Sequence, residues 1–198
     1  MTSLNHSLFL WMNASQDPPL VLRYVALVLA YGVIWLVPLG LVVAWLWGDT
    51  RVRRACVLAL ATTGLALAAA QVITRVWPQP RPFMVPLGHT LVAHVADPSF
   101  PSDHLTVLWS IAFSLLLLPR LRGAGALIAL LALPVAWARI YLGVHFPLDM
   151  LGAAGVAAVS AALCWSVRDS VLAPLMNAAN SLYRRLFALP IRRGWVRG

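Results

Sequence analysis

The chain has 198 residues, a length that suits one domain rather than several. It is 61% hydrophobic and 11% charged, and its formal charge of +9 comes from fifteen arginines, no lysine, six aspartates and no glutamate. A soluble domain of this size needs far more surface charge, so the basic balance does not indicate a nucleic-acid partner and instead fits an integral membrane protein with arginines gathered in its cytoplasmic loops.

Residues 1–19 lack a basic segment followed by an apolar core and a small-residue cleavage site, so no signal peptide is expected there. Leu4, Leu8, Trp11 and Met12 share one helical face, which predicts a short amphipathic helix on the membrane surface, broken at Pro18-Pro19. The first span is Tyr24–Trp47, 24 residues without a charge. As a helix it is about 36 Å long, enough to cross a hydrocarbon core of roughly 30 Å. Pro38 is a candidate kink, and 48–54 reads as a short charged loop. The second span, Ala55–Ile73, is rich in Ala and Gly, which favours close helix packing.

Thr74–Asp103 is the longest non-spanning segment and contains six prolines. A loop this long in a small protein is usually functional. The third span is Ser102–Leu118, with Ser102 or Asp103 available as its N-cap. A basic turn at 119–123 leads to the fourth span, Ala124–Tyr141, which Pro134 interrupts. After a short loop, Pro147 suits the first turn of the fifth span, Pro147–Val167. The tail, Arg168–Gly198, mixes arginine pairs with apolar residues and reads as an amphipathic surface helix or a partly disordered segment. Cys56 and Cys164 have no metal-ligand spacing and read as packing residues. The expected fold is an all-α integral membrane protein. It has five to six transmembrane helices in a bundle, with short interfacial helices at 1–19, a core at 50–167 and a basic cytoplasmic tail at 168–198.

Arg51, Arg53 and Arg54 mark the first loop as cytoplasmic, Arg120 and Arg122 mark the third, and the basic tail agrees. With five spans, the N-terminus is then outside and the C-terminus inside. The loops bearing Arg81, His104 and His145 all fall on the outer side.

Those loops hold three polar clusters that composition alone does not explain. An arginine fork matches phosphate oxygens and keeps its charge, which suits Arg81 and Arg139 to an anion, although either could merely reach toward lipid headgroups. Pro101-Ser102-Asp103-His104 opens a helix, where free N–H groups and the positive dipole end receive an anion and the Ser102 hydroxyl adds a donor. The alternative for this cluster, an ordinary helix cap, leaves His104 unexplained. His145 and Asp149 lie one helical turn apart, so the carboxylate can fix the imidazole tautomer and leave the other ring nitrogen as a nucleophile. His89 and His94 read as loop residues first and substrate-facing residues second. A transporter or scaffold would carry charges in mid-span, and the centres of these spans have none.

Arg81-Pro82, then Pro101-Ser102-Asp103-His104, then Ala138-Arg139 with His145 and Asp149 resemble the motifs of the phosphatidic acid phosphatase type 2 superfamily, K-x6-R-P, P-S-G-H and S-R-x5-H-x3-D. The resemblance covers roughly residues 50–167. The family lysine corresponds to Thr74, with Arg75 one position late. Ala138 replaces a serine and Asp103 a glycine. The Pro-Ser-Asp-His form, with Phe100 and the run 141–150, is similar to the bacitracin-resistance type of undecaprenyl pyrophosphate phosphatase. That resemblance implies a multi-pass protein of the bacterial inner membrane that cleaves undecaprenyl diphosphate at the outer face, without metal or cofactor. Other substrates for the same site are phosphatidylglycerophosphate, phosphatidate or lipid A. The resemblance implies His145 as nucleophile, Asp149 as its partner and His104 as acid and base. It implies Arg81, Arg139, Ser102 and Arg75 as phosphate ligands, with Asp103 tuning the site.

Overall fold

The computed structural model describes residues 3–198, and every regular element among them is helical. Helix α1 is Ser3–Met12, α2 is Leu20–Leu27, α3 is Val33–Trp47 and α4 is Thr50–Val76. Helices α5 (Asp103–Leu116), α6 (Arg122–Tyr141) and α7 (Pro147–Ser166) follow, then α8 (Ala173–Leu186) and α9 (Ala188–Arg192). A π-helical turn, Val28–Gly32, joins α2 to α3 as one rod, and a second, Arg168–Leu172, leads into α8.

Four helices are long and apolar enough to cross a membrane: Leu20–Trp47, Thr50–Val76, Arg122–Tyr141 and Pro147–Ser166. The expected five to six is slightly more than this shows. Helix α5 has 14 residues and is about 21 Å long, short of a roughly 30 Å core. Proline-rich chain precedes it and Pro119 follows it, which limits its extent. It needs no full-length match to lipid because it packs against α4, α6 and α7. Its close contacts run through small residues. Ala112, Ala132, Ala153 and Ala157 are fully buried, and with no bulk beyond Cβ they let the helix backbones approach.

Several sequence boundaries shift for identifiable reasons. The charged loop at 48–54 is mostly helix. Asp49 Oδ1 accepts from Arg51 N and Val52 N at 2.9 Å each and starts α4 at Thr50. Such a cap contributes about 1 kcal/mol. Pro134 does not interrupt α6, which runs unbroken through it; within a bundle, neighbouring groups tolerate a helical proline.

Arg53 does not project into a cytoplasmic loop. It is 1% exposed and lies over the Tyr183 ring at 4.3 Å. Its guanidinium donates to Trp45 O at 2.9 Å, Asn180 Oδ1 at 3.0 Å and Arg197 O. Arg197 N donates to Leu46 O at 2.9 Å and Trp47 Nε1 to Trp195 O at 3.1 Å. The tail therefore folds back onto the α3–α4 turn. Helix α8 buries Met176 and Tyr183 and exposes Arg184 and Arg185, the amphipathic-helix alternative of the two left open for the tail.

Helix α1 is present, but the residues it turns inward are Asn5 and Phe9, while Leu4, Leu8 and Trp11 stay exposed. Phe9 and His6 pack on Phe146, with ring centroids 5.2 and 5.4 Å away. Asn5 Oδ1 accepts from Leu148 N at 3.1 Å. Asn13 Nδ2 donates to Tyr141 O at 3.1 Å and His89 O at 2.9 Å. The amino-terminal segment thus braces the α6–α7 turn, beyond the surface-anchoring role its apolar stripe suggests.

Candidate active site

The three motif clusters meet at one end of the bundle, where α4 and α6 end and α5 and α7 begin. They line a cavity of about 430 Å3 whose walls include Thr74, Arg81, Asp103, His104, Arg139 and His145. Local chain geometry brings them there. Gly143 has φ +80°, and a Cβ on it would lie 2.1 Å from His89 O. Only glycine permits this turn and the close approach of the 88–91 segment, which Leu91 N secures by donating to Leu142 O at 3.1 Å. Loop 142–146 then presents His145 to the cavity.

His145 is 2% exposed. Its Nδ1 lies 3.0 Å from Asp149 Oδ2, which also accepts from Phe146 N at 2.8 Å. Its Nε2 lies 3.1 Å from Arg81 Nη1 and 3.4 Å from Arg139 Nη2. Guanidinium nitrogens only donate, so Nε2 must be the acceptor and the ring proton resides on Nδ1, toward Asp149. Burial first, and then the Arg139 and Arg81 charges, hold the His145 pKa well below the ordinary histidine value. The imidazole is therefore neutral at neutral pH, with its Nε2 lone pair directed at two cations.

The two arginines are held differently. Arg81 Nε donates to Asp97 Oδ1 at 2.9 Å and Asp97 O at 3.0 Å, and Nη1 donates to Val144 O at 2.9 Å. Partial burial raises the Asp97 pKa, but the Arg81 hydrogen bond and charge outweigh it and keep the carboxylate below its usual value. Arg139 is 2% exposed, its guanidinium lies 5.5 Å from the Tyr31 ring centroid, and its Nε and Nη1 have no hydrogen-bond partner. A buried cation with idle donors is costly unless an anion completes it.

Ser102 is the N-cap residue of α5 and is fully buried, yet its side chain caps nothing and its hydroxyl has no partner. His104 lines the cavity from the first turn of α5, and Asp103 beside it is exposed on the same lining. Arg75 is exposed and lies outside the lining, where Thr74 and Gln71 stand instead. Thr74 Oγ1 donates to Phe100 O at 3.2 Å. His94 reaches the cavity, its Nδ1 3.7 Å from Asp97 Oδ1, whereas the backbone of His89 serves to bind Asn13.

Sequence reasoning missed Asp97, Gln71 and Tyr31. For Asp97 there was a signal: it is the one acidic residue between Arg75 and Asp103, in the long proline-rich loop. Among the described residues no three His, Cys, Asp or Glu side chains form a group able to hold a metal ion, and the fixed cations at the cavity are guanidinium groups.

A helical membrane bundle with arginines, an Asp-oriented histidine and a helix N-terminus at one end defines a class of intramembrane phosphate-handling proteins. Residues 55–171 match the model of the PAP2 superfamily, and the chain belongs to that superfamily. It is 40% identical over 200 residues to "Putative undecaprenyl-diphosphatase YbjG" of Escherichia coli strain K12, covering 100% of this chain and 99% of that protein. It is 37% identical over 147 residues to undecaprenyl-diphosphatase BcrC of Bacillus subtilis strain 168, covering 74% of each. The crystal structure of Aquifex aeolicus LpxE shares the fold, with a TM-score of 0.64 and 22% identity over 83% of this chain and 96% of that one.

Proposed function

We propose that this protein hydrolyses undecaprenyl diphosphate to undecaprenyl phosphate and inorganic phosphate. The observation that carries the reading is the convergence of Arg81 and Arg139 on the accepting Nε2 of His145, with two Arg139 donors left idle. A terminal phosphoryl group supplies the missing anion and brings its phosphorus to the nucleophile. The substrate lipid is taken from the two relatives named for it, which match most of this chain.

His145 Nε2 attacks the terminal phosphorus, forming an N–P bond as the P–O bond to the inner phosphate breaks. Asp149 stabilises the charge that develops on the ring. The charge of the bound diphosphate favours a protonated His104, which donates that proton to the departing lipid phosphate and then takes one from the water that cleaves the phosphohistidine. Arg139 and Arg81 stabilise charge on the phosphoryl oxygens in the transition state; Ser102, buried behind the lining, contacts none of them. Asp97 holds Arg81 ready, and Arg75 has no part. Guanidinium groups supply the fixed positive charge, so the reaction proceeds without a metal or cofactor.

Residues 1–198 act as one catalytic unit in the bacterial inner membrane. Arg51, Arg54, Arg120, Arg122 and the tail arginines cluster at the end opposite the cavity, which supports a cytoplasmic tail and an outward-facing site.

The test is phosphate release from undecaprenyl diphosphate by detergent-solubilised protein in EDTA, wild type beside His145→Ala. Activity that survives EDTA and disappears in the variant supports the reading. Full activity in His145→Ala, with both proteins folded, overturns the assigned nucleophile.

A further inference from the structure

A second cavity of about 270 Å3 lies deeper in the bundle, under α3, with Leu36, Gly40, Ala59, Leu108, Ile111 and Leu115 on its apolar lining. Two features distinguish it from a packing fault. First, α3 bridges it. None of the side chains of α3 is buried, yet the rod is pinned at both ends. At the active-site end, Ala26 and Ala30 pack into a cluster with Ala138, Tyr141 and Leu142, and Tyr31 lies against the Arg139 guanidinium. At the far end, Trp45 O, Leu46 O and Trp47 Nε1 are tied to Arg53 and the folded-back tail. The middle of α3 therefore spans a partly open gap.

Second, the cavity continues the walls of the active site. On α5, His104 is followed by Leu108, Ile111 and Leu115 at spacings of four, three and four, so one helix face runs from the catalytic cavity into the apolar one. At the helix rise, that face spans from about 6 to about 16 Å below His104. On α4, Thr74 and Gln71 of the catalytic cavity lead by the same helical spacing through Leu67 and Thr63 to Ala59 of the apolar one. A polar anion site sits at one end of these stripes and a dry groove at the other, complementary to an amphiphile with a diphosphate head and a long hydrocarbon chain.

We propose that the apolar cavity beneath α3 is a subsite for the isoprenoid chain of the substrate, seating a segment of the chain below the diphosphate while the remainder stays in the bilayer. This rests on the diphosphatase reading above and adds where chain recognition resides. Gly40 borders open space in the groove, since a Cβ built there meets nothing within 4 Å, so larger side chains can be introduced at this position to fill it.

The test fills the groove. Gly40→Ala, Gly40→Leu and Gly40→Phe are compared with wild type on undecaprenyl diphosphate and on a water-soluble short-chain isoprenyl diphosphate, with thermal unfolding measured for each. Expected is a KM for the long-chain substrate that rises with side-chain size, by about tenfold for Gly40→Phe, the equivalent of losing roughly two buried methylene groups. Short-chain kcat/KM stays at the wild-type value, and Gly40→Ala behaves as wild type. If Gly40→Phe does not fold, Gly40→Leu carries the comparison. Unchanged KM for both substrates, or equal loss on both, overturns the chain subsite while leaving the diphosphatase reading intact. A wild-type protein inactive on both diphosphates overturns the two together.

Discussion

The most informative single change is Asp149→Asn. It keeps the shape of the side chain and removes the charge and one acceptor. In the wild type, Asp149 Oδ2 accepts from both His145 Nδ1 and Phe146 N. Because the one oxygen takes both bonds, an asparagine oxygen in its place still accepts from Phe146 N and Nδ1, so the tautomer is kept and the charge alone is lost. The Nε2 lone pair still faces Arg81 Nη1 at 3.1 Å and Arg139 Nη2 at 3.4 Å, but the positive charge that forms on the ring as Nε2 attacks loses its counter-charge. A hydrogen bond to a charged group contributes about 1.5–3 kcal/mol, and this is the share that the neutral side chain forfeits as the ring becomes charged. Losing about 1.5–3 kcal/mol of transition-state stabilisation corresponds to a roughly 10- to 150-fold fall in kcat. The assay is single-turnover phosphate release in detergent at neutral pH, with thermal unfolding as a control. A folded Asp149→Asn protein with the kcat of wild type would refute the role assigned to the Asp149 charge.

Further outcomes follow from the same geometry. Arg139→Ala removes the idle donors and is expected to lower kcat/KM by about 10^2- to 10^3-fold; Arg139→Lys restores little, because a point charge lacks the fork. Arg75→Ala, on an exposed residue outside the cavity, stays within about twofold of wild type, whereas Thr74→Lys adds a cation on the lining and lowers KM for the diphosphate; steady-state kinetics decide both. The pH dependence follows from the depressed His145 pKa: the acid limb of kcat/KM falls below the ordinary histidine value of about 6.5. The sign for stability is the same. Below about pH 6.5 the unfolded chain binds a proton that folded His145 refuses, so the contribution of this residue to stability is lost as pH falls through that window, and denaturation followed from pH 7 to pH 5 checks it.

The order of the spans and the three polar clusters were legible in the primary structure because lipid imposes a strict rule. Every backbone group in the hydrocarbon must be satisfied locally, so long uncharged runs become helices wherever their neighbours sit. The same rule makes a retained arginine or histidine conspicuous, and this is why Arg81, His104, Arg139, His145 and Asp149 could be picked out before any contact was known. Tertiary structure decided what depends on direction and distance. Helical phase turns Thr74 into the cavity and Arg75 away from it, a difference of about 100° that adjacency in sequence conceals. Asp97 acquires its role only because the loop carries it to within 2.9 Å of Arg81. The inward face of α1 is Asn5 and Phe9, not the more apolar stripe, because Phe146 and Leu148 N offer partners that one face alone can meet. Arg53 is buried because the tail returns to it from 144 residues away. Local pattern determines which segments are helices and which residues are costly to place in a membrane. Long-range packing determines which of those residues meet, since the energy of a buried charge depends on the groups that surround it.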